Sequence, residues 1–466
     1  MLYTQNVAGH FWDAFPNEIL KAKEGIVLLG APIGKNGFIK NYCCEKIQDM
    51  NLLMEKVKSL QDPQLELILF RSCATFPKIN FMLRSVDSSI IDDELKQFDL
   101  FVDQCISHIL SYNLDSFSRK MWSLPMSMSG FGFPKAFRLA PAAYISSVSS
   151  TWELQKVQNI SSLPNSFNSN LGRFQSYLKS AFDYDVNNPT ALNQHTLKLL
   201  LDYDTKNELI EICEQYINST NEDASIKYSR LKAILLNRSL KYCNGWLYAV
   251  PADWSGTRIN QYSFRCLLKY HSGIPLADSI KACPKCKKDM DCYGDHAISC
   301  SHTSQRIARH NTLVESLKAT LGKAGIACTT EQSASMKGDR MGDIVLINWM
   351  ESRDAYLDLP VVNSLCPSYL PKSIKQTGGA AEVRHQEKKK KYQDVIEKNS
   401  VFFQPVIVET LGGWHESCVR LMKTFAERLA NRNQTCPSLE EANLMTSLSI
   451  RLQKINGSML ASRYYD

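Results

Sequence analysis

The chain has 466 residues, of which 44% are hydrophobic and 22% charged, and its formal net charge is +7. This length and composition predict about two to four folded domains of an ordinary globular protein rather than a disordered chain, and the charge suits an anionic partner without requiring one. The odd number of cysteines, fifteen, together with the lack of a signal peptide or a long apolar segment, favours thiols in a nuclear or cytoplasmic protein that does not enter a membrane.

The N-terminal third is predicted to be mostly helical. In residues 45–114 apolar side chains recur at intervals of three and four, as expected of amphipathic helices packed together. A turn-rich segment follows at 124–134, and then a helix of small residues around Ala140. Residues 146–170 are rich in Ser, Asn and Pro, which predicts a surface linker.

The C-terminal half is predicted to mix helices with short strands. Helical patterns cover 191–243 and 304–321, with an aromatic-rich segment between them. Strands are predicted at 343–347, 356–362 and 401–408, and a charged helix at 382–398. The fold class is therefore α+β. We divide the chain into a helical region (1–145), a linker and helical region (146–240), an aromatic-rich segment with a metal site (241–302), an α/β domain (303–435) and a C-terminal tail (436–466).

The metal site is predicted from cysteine and histidine spacing. Two cysteines separated by two residues are followed by a histidine and a cysteine separated by three: Cys283, Cys286, His296 and Cys300. Four such ligands satisfy tetrahedral Zn²⁺ and leave no position for water, so the site is predicted to be structural. Cys292 and His302 lie nearby, and either is an alternative ligand in the second pair. A chance cluster of buried cysteines is the competing interpretation.

Two aspartates on neighbouring predicted strands are the main catalytic candidates. Asp343 begins one strand, and Asp358 lies inside an apolar strand fifteen residues later. Carboxylates brought together in this way repel each other unless a cation lies between them, and Mg²⁺ prefers oxygen ligands. A metal there would activate water and neutralise a phosphate. The alternative is structural, with Asp343 as a cap and Asp358 paired with a core arginine. Glu331 is a further candidate acid.

The charged helix supplies a candidate lysine. Lys388, Tyr392 and Ile396 recur every four residues, which places Lys388 above the apolar stripe and aims it inward. Lys391 lies one turn from Lys388 and is the alternate. The other two lysines of the run are interpreted as solvated, or as contacts to a phosphate backbone: Lys389 and Lys390.

These motifs together resemble the restriction-like endonuclease of site-specific non-LTR retrotransposon proteins, over residues 246–429. That family combines a Cys-Cys-His-Cys knuckle with a PD-(D/E)XK nuclease fold. Further matches are an Arg-His-Asn signature and a closing strand and turn: Arg309, His310, Asn311, Gln404, Pro405, Glu409, Gly412 and Gly413. Two shorter N-terminal matches resemble the end of a reverse-transcriptase palm and the segment after its thumb: Leu29, Gly30, Pro32, Ile33, Gly34, Leu124, Pro125, Ser129, Gly130, Gly132 and Ala143.

The chain departs from the family pattern at three places. Gly342 replaces the proline of the PD motif, and Pro360 replaces the lysine expected after the second acid. The resemblance therefore implies that Lys388 or Lys391 takes the lysine's role. The sequence contains no Tyr-x-Asp-Asp motif, so we expect no polymerase activity in this chain, which we interpret as a fragment or descendant of a retroelement protein.

The leading hypothesis is a retroelement-derived, Mg²⁺-dependent DNA endonuclease with a structural Zn²⁺ site. Its partner is DNA, and element RNA remains an open alternative. Lysines of the knuckle are expected near the DNA backbone: Lys281, Lys285, Lys287 and Lys288. Two competing hypotheses are a non-catalytic nucleic-acid-binding remnant and a helical interaction protein with incidental cysteines.

Overall fold

The computed structural model describes residues 15–16, 18, 22–158, 162–179, 192–330 and 341–464. The chain forms two compact units. The first ends at Leu209 and the second begins at Ile210, and the second also includes two short earlier segments, residues 63–65 and 126–130. Helices dominate both units, and the α+β class predicted from the sequence is confirmed.

The first unit is helical apart from one hairpin. Its elements are β1 (Gly25–Leu28), β2 (Ala31–Gly34), α1 (Asn36–Lys58), α2 (Pro63–Leu69), α3 (Phe76–Ser85), α4 (Asp92–Leu110), α5 (Ser116–Ser123), α6 (Ala136–Val157) and α7 (Asn165–Ser176), and α8 (Gln194–Ile217) begins there. The hairpin was not predicted; its turn is Leu29 and Gly30, both with positive φ. The helices predicted in 45–114 are confirmed.

The linker predicted at 146–170 is wrong over much of its length, because α6 continues to Val157 and α7 begins at Asn165. Small polar residues are compatible with this helix because their hydroxyls return hydrogen bonds to the preceding turn. Ser150 Oγ donates to the Ser147 carbonyl at 2.9 Å, and Thr151 Oγ1 donates to the same oxygen at 3.2 Å. Trp152 is buried near the end of the helix. Composition alone therefore misjudged a largely exposed helix end, anchored by Trp152, as an irregular segment.

The second unit contains the metal site and the small sheet. Its helices are α9 (Glu222–Asn237), α10 (Gln261–Ser272), α11 (Asp295–Ser299), α12 (Ser304–Lys323), α13 (Leu370–Ser373), α14 (Gly379–Asn399), α15 (Glu416–Asn433) and α16 (Pro437–Tyr464). Its strands are β3 (Lys281–Ala282), β4 (Asp289–Met290), β5 (Cys328–Thr330), β6 (Ile344–Met350), β7 (Arg353–Asp358), β8 (Val361–Val362), β9 (Phe402–Pro405) and β10 (Val408–Glu409).

The main sheet has the order β5-β6-β7-β9. β5, β6 and β7 are antiparallel neighbours, whereas β9 returns parallel to β7 after α14. β5 was not predicted, and the single strands predicted at 356–362 and 401–408 are each divided in two. One face of the sheet contributes Leu357 to a large core shared with α12, α15 and α16. The opposite face packs Tyr356 against Tyr392 of α14.

The segment expected to be a C-terminal tail forms the long helix α16, which packs against α10, α12 and α15. Its buried side chains include polar groups, which obscured the apolar pattern in the sequence. Asn456 is fully buried and donates to the Thr410 carbonyl at 3.0 Å. A polar side chain satisfied in this way can occupy a core position.

We predict that Leu448→Ala lowers the free energy of unfolding by about 2–5 kcal/mol, because it leaves a cavity in the core of the second unit. Leu439→Ala, on the same helix but 54% exposed, is the control and should change it by less than about 0.5 kcal/mol. Urea denaturation measures both. Equal, small effects would mean that α16 behaves as the expected tail.

Candidate functional site

The four predicted zinc ligands lie together. One ligand atom from each of Cys283, Cys286, His296 and Cys300 lies within 4.8 Å of the others, and Cys286 Sγ is 3.2 Å from His296 Nε2. The cluster can therefore bind a metal ion such as zinc. Of the two alternative ligands, His302 is exposed and contacts Ser301, and neither His302 nor Cys292 belongs to the cluster.

Local structure explains how the second ligand pair is positioned. Asp291 accepts hydrogen bonds from the backbone N–H groups of residues 293–296, at 2.7–3.1 Å, and so caps α11. Asp295 is held by two hydrogen bonds from Arg230, at 2.6 and 3.0 Å. Gly294 has φ +101°, and a side chain there would meet Leu460 at 2.5 Å. The turn before α11 is thus fixed on three sides.

The environment of Cys283 favours the thiolate form that a metal requires. Burial opposes ionisation, but hydrogen bonds from the backbone N–H groups of Cys286 and Lys285 and from His296 lower the pKa of Cys283 to about 6. A thiol with this pKa is largely ionised at neutral pH, as a metal ligand must be.

The two predicted aspartates lie at the same end of the strand pair β6 and β7. The pairing extends to Ile344 beside Leu357, and Asp343 and Asp358 are the next residues of the two segments. The Asp343 N–H donates to the Leu357 carbonyl at 2.7 Å. Gly342 precedes this pair, and a Cβ there would lie 2.9 Å from the Leu357 oxygen. The close approach of the two backbones therefore explains the glycine at the position of the family's proline.

Asp358 is paired with the predicted lysine. Lys388 Nζ lies 2.9 Å from both carboxylate oxygens, and both side chains are 13% exposed. The hydrogen bond goes to Oδ1, and the buried Oδ2 has the same ammonium group as its ion-pair partner. Burial raises the pKa of Asp358 and the negative charge of Asp343 adds to it, although Lys388 opposes the shift. The partner is a lysine from α14 rather than the core arginine considered as an alternative.

Asp343 is held by a histidine to which the sequence assigned no role. His310 Nε2 lies 3.1 Å from Asp343 Oδ1, and His310 Nδ1 lies 3.1 Å from the Leu359 carbonyl. Asp343 Oδ2 accepts the Leu359 N–H at 2.7 Å. Burial opposes ionisation of Asp343, but these two hydrogen bonds outweigh it and lower its pKa. The only sequence signal for His310 was the resemblance of residues 309–311 to the Arg-His-Asn signature.

The remaining candidates of the charged helix lie elsewhere. Lys391 Nζ contacts Tyr392, at 3.3 Å from its hydroxyl and 4.8 Å from its ring centroid. Lys389 and Lys390 are exposed, as expected. The structure therefore brings Lys388, rather than Lys391, to the aspartates. Glu331 lies outside the described residues.

Glu409 is a buried acid to which no role was assigned beyond its place in the family's closing strand. It is fully buried in β10 and accepts the Ala381 N–H at 3.2 Å, and its second oxygen has no hydrogen-bond partner in the described part of the chain. Burial raises the pKa of Glu409 to about 7. An acidic residue directly after the apolar run 406–408 was the available signal.

Comparisons of the chain with models of protein families and with the sequences of curated proteins find no match. The resemblance to a retrotransposon endonuclease thus stays a prediction. Within the described ranges, no helix combines the length and the apolar content needed to cross a bilayer.

We predict about one zinc ion per chain in elemental analysis of the purified protein, because the four ligands complete a tetrahedral site. Cys283→Ser should lose most of this zinc, whereas Cys292→Ser, the matched control outside the cluster, should keep it. Metal-free protein that retains its thermal stability would contradict a structural zinc site.

We predict that Glu409→Gln raises the free energy of unfolding by about 3 kcal/mol at pH 8. The unfolded carboxyl ionises near pH 4.5 and the folded one near pH 7, so the wild type loses stability as pH rises across this window. The gain should nearly vanish at pH 4.5.

Urea denaturation at the two pH values measures this effect, and the exposed Glu427→Gln serves as control. A gain that is the same at both pH values would mean that Glu409 does not titrate in this window.

Proposed function

We propose that this chain is a divalent-metal-dependent DNA endonuclease with Asp343 and Asp358 as metal ligands and Lys388 as the lysine of the site. The observation that carries the proposal is the grouping of these three side chains: the buried Asp358 feels the negative charge of Asp343 and is ion-paired with Lys388, whose Nζ lies 2.9 Å from Oδ2. Two neighbouring carboxylates repel each other as anions, and a bound cation would remove that repulsion.

The paired carboxylates suit a hard cation such as Mg²⁺. Asp343 has a lowered pKa and is ionised at neutral pH, and its charge is felt by Asp358 across the strand pair. Such oxygen ligands are those that Mg²⁺ prefers. A divalent ion bound here supplies an activated water and neutralises charge on a phosphate.

Lys388 and His310 have distinct tasks in this proposal. Lys388 is held at the sheet by α14, where its ammonium group can donate to a phosphate oxygen or orient the attacking water. His310 fixes the carboxylate of Asp343 through Nε2 and is itself oriented by the Leu359 carbonyl. It is therefore a positioning residue of the kind that supports metal ligands.

The knuckle has a structural role in this proposal. Four protein ligands fill the coordination of Zn²⁺, so chemistry is assigned to the aspartates instead. Exposed lysines of the knuckle, such as Lys285 and Lys288, would contact the DNA backbone. A nuclear or cytoplasmic location is proposed because the fifteen cysteines are thiols.

A second candidate, a non-catalytic nucleic-acid-binding protein, is favoured by one specific observation. Both aspartates already have protein partners, since Asp343 binds His310 and the Leu359 N–H, and Asp358 binds Lys388. A buried ion pair of this type also occurs in purely structural settings. Cleavage assays distinguish the two functions.

We predict that zinc-loaded protein nicks supercoiled plasmid with Mg²⁺ and that Asp343→Asn and Asp358→Asn each reduce the rate at least about 100-fold. Lys388→Gln should reduce it comparably, and the exposed Lys390→Gln is the matched control on the same helix. Circular dichroism checks that each variant is folded. Wild-type protein that binds DNA with no detectable nicking would favour the second candidate.

A further inference from the structure

A cavity in the second unit, beside the acidic pair Asp343 and Asp358, is lined by several cationic side chains. Its volume is about 350 Å³, and it lies where the N-terminus of α12 meets α14. The lining residues that matter here are Ser301, Thr303, Arg306, Arg309, His310 and Arg384. Three guanidinium groups and two hydroxyls thus converge on one small space.

Arg309 is the observation that points to a ligand. It is 4% exposed, and its Nη1 donates only to neutral acceptors, namely Asn456 Oδ1 at 2.8 Å and, at longer distances, the Ile298 carbonyl and the Met459 sulfur. Its Nε has no hydrogen-bond partner within the described ranges, and its hydrogen-bond partners there include no carboxylate. A buried charge without a counter-charge is unfavourable, so the cavity is suited to an anion.

The surroundings add positive charge and leave part of it free. Arg306 is exposed and donates to the Ser299 carbonyl at 3.3 Å, and its charge adds to burial in lowering the pKa of Arg309 to about 10. Arg384 Nη1 pairs with Glu387 at 2.9 Å, and the Arg384 side chain is 35% exposed. The N-terminus of the 20-residue helix α12, which is the positive end of its dipole, also lies at the cavity.

The cavity adjoins the acidic pair. His310 lines it and at the same time holds Asp343. Arg384 lies one helical turn before Lys388, which binds Asp358. An anion in the cavity would therefore be separated from the acidic pair by a single layer of side chains.

We infer that this cavity binds a phosphodiester group of the nucleic-acid strand, next to the one that the acidic pair would cleave. The identity of the ligand as substrate rests on the proposed nuclease function. Recognition comes from guanidinium groups, which bind phosphate oxygens by pairs of charge-assisted hydrogen bonds.

The first test measures binding of a short fluorescent DNA duplex by anisotropy in EDTA. The variant Arg306→Gln/Arg384→Gln should bind at least about tenfold more weakly, and its salt dependence should fall by about one counterion, since the cavity holds one phosphate and each phosphate contact releases roughly 0.9. The control variant Lys323→Gln/Lys423→Gln removes the same amount of positive charge from exposed sites. Lys323 lies about 25 Å from Arg306 along α12. Equal losses in the two variants, or no loss in the first, would overturn the inference.

The second test uses inorganic phosphate as the probe and the thermal midpoint of unfolding as the readout. Sodium phosphate, compared with sodium chloride at equal ionic strength, should raise the midpoint of the wild type and of the control variant. The Arg306/Arg384 variant should show less than about half of this increase. The same increase in all three proteins would contradict a phosphate site in the cavity.

These tests separate the inference from the proposed function, because both omit divalent metal and neither needs cleavage. A chain that binds DNA through Arg306 and Arg384 but never nicks plasmid would keep the phosphate site and reject the nuclease. If the wild type nicks plasmid but the Arg306/Arg384 variant binds DNA with unchanged affinity, the nuclease function stands and the phosphate site is rejected.

Discussion

The antiparallel pairing of β6 with β7 is the constraint on which the acidic site depends. Side chains alternate between the faces of a sheet, so a shift of one residue would move Leu357 out of the core and Tyr356 into it. Both faces of this strand pair are buried, which penalises any such shift. The same register that satisfies the core brings Asp343 and Asp358 to one end of the strand pair, where Asp358 feels the charge of Asp343.

The two aspartates differ because their partners differ. Asp343 accepts hydrogen bonds from a backbone N–H and from His310, which favour its charged form and lower its pKa. Asp358 is more deeply buried and faces the charge of Asp343, and its pKa is raised although Lys388 is bound to it. Removing one partner of such a buried ion pair typically lowers the free energy of unfolding by about 3–5 kcal/mol. The pair therefore holds Lys388 at the sheet.

Helix α16 connects the metal cluster to the rest of its unit. Asn456 receives a hydrogen bond from Arg309 of α12, and Tyr464 donates to the carbonyl of Asp291, whose side chain caps the helix that holds His296. Leu448, one of its buried residues, belongs to the core beneath the sheet. The cluster, the arginine cavity and the sheet thus share one supporting helix, and a change in its packing would disturb all three.

The sequence by itself determined the features that depend on neighbouring residues. Four metal ligands within eighteen residues needed only one turn and a short helix to converge, and four-residue spacing was enough to aim Lys388 inward. Tertiary structure decided the rest. Lys391 is only three residues away from Lys388, yet the packing of α14 on the sheet brings one lysine to Asp358 and leaves the other against Tyr392. His310 reaches Asp343 across 33 residues of sequence, and the helix taken for a tail is buried because distant groups satisfy its polar side chains. Periodicity records which way a side chain points along its own element, whereas the partner it meets depends on packing between elements far apart in the chain.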